Sequence, residues 1–248
     1  MLRVEYGPYQ PSLETAFLAR LRDLKKKDPL APVAVVAPSR RLVARLQRLA
    51  AGEARVSCLN VHFHTFLSLA LRIVEESAAP GAIASGAPVV VRDPLFYAKL
   101  VDNLLEEKAA FGGLLGGKWR PRGMASAVRS SLRDLTDAGT EPRSVLEHLR
   151  EGLLGKGEET GRFAALLELH REYLERLSAL EVMPPSELAR KAAACAPESN
   201  LLKGFSELLY YGFYDLTGLQ CDLFEAVSAH HTVTLFFPYR RGHPAFRF

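Results

Sequence analysis

A valine-rich run bounded by two prolines most constrains how this chain can fold. The segment from Pro32 to Pro38 reads Pro-Val-Ala-Val-Val-Ala-Pro and lacks the polar alternation of a half-exposed strand. Strands that are apolar on both faces are typical of parallel sheets, because helices cover both sides of such a sheet. The run therefore predicts a buried strand over 32–37.

The flanking segments repeat the order strand, loop, helix. Where helices are expected, apolar side chains recur every three or four residues, and each such stretch follows an extended segment. The predicted strands are 2–6, 32–37 and 55–61, and the predicted helices are 12–27, a helix that follows Ser39, and 65–73. Three such units in about 75 residues predict a parallel α/β sheet.

A long helical block interrupts this α/β pattern. Its predicted helices are 94–108, 122–138, 142–152, 161–180 and 184–196. Strand composition returns at 207–211 and 231–237, with a short helix at 219–229 between them. The predicted division is therefore 1–92 for the first part of an α/β domain, 93–203 for a helical insertion domain, and 204–248 for the return to the α/β domain.

The composition excludes several classes of protein. Hydrophobic residues make up 48% of the 248 residues, which excludes a disordered chain, and 32 Lys and Arg against 28 Asp and Glu leave a charge of +4 that is compatible with a polyanionic partner. No apolar run approaches the roughly 20 residues that cross a bilayer. Glu5 interrupts the early apolar segment, so we expect no secretory signal, no membrane contact and a cytoplasmic protein. Cys58, Cys195 and Cys221 are odd in number and far apart, which argues against a disulfide framework and a metal clip.

The loop between the first strand and the first helix lies where a P-loop NTPase binds phosphate. That loop needs several glycines, a lysine for the phosphate oxygens and a Ser or Thr for magnesium. Here the segment Gly-Pro-Tyr-Gln-Pro-Ser-Leu-Glu-Thr begins at Gly7, and its two prolines lack amide donors. Leu13 or Glu14 stands where the lysine is required. Gly7, Ser12 and Thr15 therefore form a degenerate loop from which we expect no nucleotide binding.

Together with this loop, three segments resemble the N-terminal part of AddB, a relative of RecC and the partner subunit of bacterial helicase–nuclease complexes. They are PVAVVAPSRR at 32–41, VHFHTFLSLA at 61–70 and YYGFYDLTGLQ at 210–220. The N-terminal half of AddB is similar to a superfamily I helicase. The resemblance therefore implies a RecA-like (P-loop NTPase-like) parallel sheet interrupted by an all-helical insertion domain.

The third segment aligns with the Walker B segment of these helicases. Tyr211 and Gly212 then occupy the positions of the two carboxylates that hold magnesium and position the attacking water, whereas Asp215 and Gln220 keep helicase-like places. Both nucleotide half-sites are replaced, so the resemblance implies a chain without enzymatic activity, cofactor or metal. AddB proteins are longer and usually carry a C-terminal nuclease domain. We therefore expect a fragment whose parent has its nuclease activity elsewhere.

The resemblance also implies contacts with single-stranded DNA, from the segment 38–41 and from the Thr65–Phe66 segment. Arg40 and Arg41 begin an arginine-rich helix, while Trp119 and Arg120 combine a stacking ring with a guanidinium group. A solvated helix face and a loop anchored by the tryptophan are the respective alternatives. The predicted DNA-binding residues are Ser39, Arg40, Arg41, His64, Thr65, Phe66, Trp119 and Arg120.

The implied function is that of a non-catalytic, helicase-like scaffold in a complex that repairs DNA double-strand breaks. It would bind or guide single-stranded or unwound DNA and dock on an AddA-like helicase–nuclease subunit. Two alternatives stay open. One is a divergent nucleotide-dependent NTPase or helicase, and the other is a protein-docking module without DNA contact.

Overall fold

The computed structural model describes residues 1–53, 56, 58–77, 90–91, 93–107, 123–153 and 157–242. The chain divides into two compact units. One comprises Met1–Pro80 and Leu188–Phe248, and the other comprises Gly81–Glu187. The first unit contains strands and helices, and the described part of the second is helical.

Five parallel strands form the sheet of the first unit. They are β1 (Leu2–Gly7), β2 (Val33–Ala37), β3 (Val61–Thr65), β4 (Glu207–Tyr211) and β5 (Val233–Pro238), in the spatial order β1-β5-β4-β2-β3. Every residue of β2 and of β4 is buried, as expected for inner strands of a covered parallel sheet. The prediction of an α/β fold with a parallel sheet is confirmed.

Helices cover both faces of this sheet. On one face lie α1 (Glu14–Lys27) and α2 (Arg40–Gln47), whose apolar residues join alternate residues of the strands in one core cluster. The members of that cluster are Leu13, Phe17, Leu21, Val33, Val35, Ala37, Leu46, Ala50, Val56, Leu209, Tyr211 and Phe236. The opposite face of β4 is covered by α10 (Gly218–His230), where the ring of Phe224 lies 5.1 Å from that of Tyr210. Strand alternation thus sends neighbouring residues of β4 into two different cores.

The third strand was predicted at 55–61 but lies at Val61–Thr65, so that prediction was wrong in position. Asn60 explains the shift, because its positive φ of 56° makes a turn directly before the strand. The Asn60 side chain donates to the Leu30 carbonyl at 2.8 Å, which holds this turn against the chain that leads into β2. After the turn, Val61 and Phe63 pack against the core cluster. The helix α3 (Phe66–Ser77) follows at once.

Polar groups at the amino ends of the strands are satisfied within the unit. The buried Glu207 carboxylate accepts from Arg20 Nε at 2.9 Å and from the Thr234 hydroxyl at 2.6 Å. The Lys25 ammonium is also buried, and it donates to the carbonyls of Ala31 and Leu59. Burial lowers the pKa of Lys25. Because both buried charged groups have hydrogen-bond partners, their burial is compatible with a stable fold at this end of the sheet.

The second unit contains α4 (Pro94–Glu107), α5 (Met124–Asp137), α6 (Pro142–Arg150) and α7 (Glu158–Ala179). Their bounds agree with the predicted helices to within three residues, because the apolar periodicity is long and regular. A buried polar contact joins two of them. His170 Nε2 lies 2.9 Å from the Thr136 hydroxyl, which itself donates to the Leu132 carbonyl. The first unit resumes within α8 (Pro185–Cys195), followed by α9 (Asn200–Lys203).

Candidate functional site

The candidate site is the carboxyl edge of the sheet. Because all five strands are parallel, the loops that follow β1, β2, β3 and β4 leave the sheet at this one edge. Ligands of open α/β sheets bind at the carboxyl ends of the strands. Both degenerate nucleotide segments lie at this edge. Six of the predicted DNA-binding residues lie there too: Ser39, Arg40 and Arg41 between β2 and the first turn of α2, and His64, Thr65 and Phe66 where β3 meets α3.

In the loop after β1, the two residues at the lysine position face the protein interior or another side chain, and neither is a cation that could bind phosphate. Leu13, one of the two residues at the lysine position, is buried in the core cluster. Glu14, the other, accepts hydrogen bonds from Arg45 Nη2 of α2 at 3.1 and 3.3 Å. Ser12 and Thr15 are exposed. The carboxylate of Glu14 thus adds negative charge to the loop, and its ion pair ties α1 to α2.

The loop after β4 is in direct contact with the loop after β1. Tyr9 donates its hydroxyl hydrogen bond to the Gly212 carbonyl at 3.0 Å. Gly212 has a φ of +84°, and a Cβ at this position would lie 2.7 Å from Leu42 Cδ2 and 3.3 Å from the Tyr9 ring. Glycine is therefore required here both by the backbone conformation and by the close approach of two side chains. We call Tyr9, Tyr211 and Gly212 the tyrosine plug.

Tyr211 points into the core below this contact. Its ring centroid lies 5.5 Å from that of Phe17, 5.8 Å from that of Phe236 and 6.2 Å from that of Tyr9. The Tyr211 hydroxyl is buried without a hydrogen-bond partner among the described residues, and burial raises the pKa of this phenol. At the two positions that the resemblance aligns with the Walker B carboxylates, the chain therefore has a buried ring and a residue without a side chain.

Asp215 and Gln220, the two residues that keep helicase-like places, have different surroundings. Asp215 is exposed. The Gln220 side chain accepts a hydrogen bond from the Thr217 amide at 3.3 Å, as part of the cap that starts α10. The amide of Gln220 is thereby engaged in local helix structure.

The loop after β2 presents exposed cations. Ser39 caps α2, since its hydroxyl accepts from the Leu42 amide at 3.3 Å. Arg40 and Arg41 follow in the first helical turn, and both are exposed. Neither makes an ion pair with any residue that the structure describes. Free amides and two guanidinium groups at a helix N-terminus attract anions.

The residues at the end of β3 and the start of α3 are engaged in local structure. Thr65 Oγ1 accepts from the Ser68 amide at 3.2 Å, and the Thr65 amide donates to Ser68 Oγ at 2.9 Å, which caps the start of α3. The ring of Phe66 is buried and lies 6.4 Å from that of Phe213. His64 is buried too, and its Nε2 has no partner within the described ranges. Burial, Arg72 and His62 together lower the pKa of His64 to about 4.

Trp119 and Arg120 lie outside the described residues. In the part of the chain that the structure covers, no group of three or more His, Cys, Asp or Glu side chains could hold a metal ion. The helices within these same ranges are either too short or too polar to span a bilayer. All three cysteines are free.

No protein-family model matches the chain, and no curated protein is similar enough to match it. The resemblance to AddB therefore depends on the sequence motifs alone.

A separate cavity of about 660 Å³ lies in the helical unit. Its lining includes Tyr97, Arg129, Arg133, Asp137 and Tyr173, none of which belongs to the predicted site. Arg129 Nη1 lies 2.9 Å from the Asp102 carboxylate. Burial is the main cause of the raised pKa of Asp137.

Sequence analysis did not single out Tyr9 and Leu42, whose side chains approach Gly212. The available signal was a tyrosine in the loop after the first strand, in a chain where a glycine directly follows the apolar strand 207–211. Sequence alone does not indicate that the tyrosine and the glycine meet, because 203 positions separate them along the chain.

Proposed function

We propose that the α/β unit is a non-catalytic, RecA-like module of an AddB-like subunit, which guides a DNA strand for a helicase–nuclease partner. The observation that carries the proposal is the contact between Tyr9 and Gly212. This contact joins the two loops that would hold the phosphates and the magnesium ion in an active relative. The proposed partners are single-stranded or unwound DNA and an AddA-like helicase–nuclease subunit in the cytoplasm.

The strand order supports the RecA-like assignment. The loops after β1 and β4 have to face each other for a nucleotide to bind between them, and here both strands flank β5 in one parallel sheet. The helical unit is inserted in the chain between β3 and β4, as the resemblance implies.

The chemistry of the loops after β1 and β4 supports a role without ATP hydrolysis. A phosphate cradle needs free amides and a cation, whereas this loop has prolines, a tyrosine and the Glu14 carboxylate. At the Walker B positions, neither the phenol of Tyr211 nor Gly212 supplies a carboxylate ligand for magnesium. The tyrosine plug replaces ligand contacts with protein contacts.

The start of α2 supports the DNA-guiding role. Ser39, Arg40 and Arg41 lie exposed at the carboxyl edge, and the two arginines are charged. Arginine and serine side chains bind DNA phosphates without reading base sequence. His64 and Phe66 are buried, so we assign them to the shape of the β3–α3 corner in this proposal. Trp119 and Arg120 stay sequence predictions.

The test is fluorescence anisotropy with a labelled single-stranded oligonucleotide at two salt concentrations, with and without Mg-ATP. We expect binding that weakens steeply as salt rises and does not respond to ATP. Arg40→Glu/Arg41→Glu should weaken binding at low salt by about tenfold or more, because two phosphate contacts become repulsive.

The matched control is Lys26→Glu/Lys27→Glu. It makes the same change in net charge at the end of α1, whose two exposed lysines lie at the opposite edge of the sheet. If both double variants lose the same amount of DNA affinity, the loss is a nonspecific charge effect and the proposed contact residues are wrong. Stabilisation of the protein by Mg-ATP in thermal unfolding would instead favour a nucleotide-dependent enzyme. An absence of DNA binding at low salt would favour a docking module.

A further inference from the structure

Among the residues that the structure describes, no strand pairs with one of the two sides of β1. It stands at one end of the sheet, with β5 as its neighbour. The carbonyls of Met1 and Gly7 accept backbone hydrogen bonds from the β5 side at 2.9 and 2.8 Å. Since backbone groups of successive strand residues point to opposite sides, those of Leu2, Val4 and Tyr6 line the outer edge.

The side chains of this edge are unusually apolar for an exposed strand. Leu2, Val4 and Tyr6 are 46%, 50% and 73% exposed, and they lie on the same face of the sheet. At the other end of the sheet, Val61 and Phe63 of β3 pack against the core cluster instead. An exposed apolar edge strand is a template for pairing with another strand.

The sequence of β1 is complementary to itself in an antiparallel arrangement. Leu2-Arg3-Val4-Glu5-Tyr6 places Val4 at the centre, with an arginine and a glutamate at equal distances on either side. When two such strands run antiparallel about Val4, Arg3 of each faces Glu5 of the other, and Leu2 of each faces Tyr6. Directly opposite residues share a face of the sheet, so the ion pairs form on one face and the apolar pairs on the other.

We propose that β1 binds a second copy of this chain, so that two sheets join into one continuous symmetric sheet. The register about Val4 sets the outward backbone groups of Leu2, Val4 and Tyr6 opposite their counterparts, which allows about six N–H···O bonds. Within one chain Arg3 Nε lies 2.8 Å from Glu5 Oε1. Dimer formation exchanges this contact, which each of the two chains makes once, for two ion pairs between the chains. The paired area is small, so the dimer should be reversible and concentration-dependent.

Sedimentation velocity over a range of protein concentrations tests this interface. The wild-type chain should show a monomer–dimer equilibrium. Arg3→Glu and Glu5→Arg should each weaken the dimer by about tenfold or more, because each single variant sets like charges opposite one another twice. The double variant R3E/E5R should dimerise again, since its charges are complementary once more. An equimolar mixture of the two single variants should form a heterodimer.

Lys26→Glu is the matched control, because it reverses an exposed charge away from β1 and should leave the dimer unchanged. Circular dichroism establishes that each variant is folded. A wild-type chain that stays monomeric at every concentration overturns the proposal. Single variants that dimerise as well as the wild type overturn it too, since a different surface would then hold the two copies together.

Discussion

The loops after β1, β2 and β4 all leave the same edge of the sheet. Side chains of the loops after β1 and β4 pack against protein, whereas those of the loop after β2 are exposed to solvent. In the tyrosine plug, the Tyr9 hydroxyl donates to the Gly212 carbonyl and the Tyr211 ring is buried. At the start of α2, Ser39, Arg40 and Arg41 are exposed to solvent. One half of the edge is therefore filled by protein side chains, and the other half exposes positive charge to solvent.

This difference shows that loops from one backbone arrangement can have either buried or exposed side chains. Parallel strands deliver all of these loops to one edge whatever their sequence is. The residue types that directly follow each strand then decide whether the side chains of the loop pack inward or stay exposed to solvent. Aromatic rings next to a glycine close the first half, whereas arginines after a helix cap leave the second half open.

The largest expected effect is that of Gly212→Ala on the closed half. The substitution places a Cβ 2.7 Å from Leu42 Cδ2 at a φ of +84°. A left-handed conformation costs about 1 to 2 kcal/mol and overpacking about 1 to 3 kcal/mol, so the free energy of unfolding should fall by about 2 to 5 kcal/mol. Urea denaturation measures this change.

Gly242→Ala separates the two contributions to that loss. Gly242 has a φ of +77°, but no atom of the described residues lies within 4 Å of a Cβ built there. This variant should therefore lose only the conformational part, about 1 to 2 kcal/mol. Equal losses in the two variants would mean that Leu42 and Tyr9 move aside without cost, and that the plug is loosely packed.

The next effect concerns His64 and depends on pH. The folded state holds the pKa of His64 at about 4, mainly through burial, whereas an unfolded histidine has a pKa near 6.5. The unfolded chain therefore binds a proton first as pH falls. Stability is lost between pH 6.5 and about 4, by about 2 to 3 kcal/mol. Urea denaturation at several pH values should show a smaller loss for His64→Leu than for the wild type.

A second buried histidine also contributes to the pH dependence of stability. His170 of the helical unit also has a pKa lowered by burial, so the difference between variant and wild type carries the result. His230→Gln is the control for the removal of an imidazole at an exposed position, because His230 is exposed at the end of α10. Identical pH profiles for His64→Leu and the wild type would contradict the buried, neutral state of His64.

The smallest expected effect comes from two hydroxyl deletions in the tyrosine plug. Tyr9→Phe removes the hydrogen bond to the Gly212 carbonyl and should cost about 1 kcal/mol. Tyr211→Phe removes a buried hydroxyl without a partner among the described residues, and should be neutral or slightly stabilising. Thermal unfolding of the two variants measures this contrast. Equal losses of stability in the two variants would show that the hydrogen bond from the Tyr9 hydroxyl does not stabilise the fold.

Most elements could be predicted because their apolar patterns are long or continuous. The run Val33–Ala37 and the helices of the second unit are examples, and each lies close to its predicted position. The strand at Val61–Thr65 was misplaced because its short pattern, with exposed His62 between Val61 and Phe63, follows a turn made by a single asparagine. A turn of this kind depends on a contact with Leu30, which is 30 positions away.

The amino-acid sequence by itself determined the α/β class, the position of the helical block in chain order and the residue types that follow each strand. These properties follow from local periodicity and from the chemistry of single positions. The tertiary structure alone decided that Tyr9 reaches Gly212, that Glu14 pairs with Arg45, and that His64 and Phe66 are buried while Arg40 and Arg41 are exposed. Such contacts depend on the order in which strands pair. That order is set by the packing of the whole sheet, not by any one segment of the sequence.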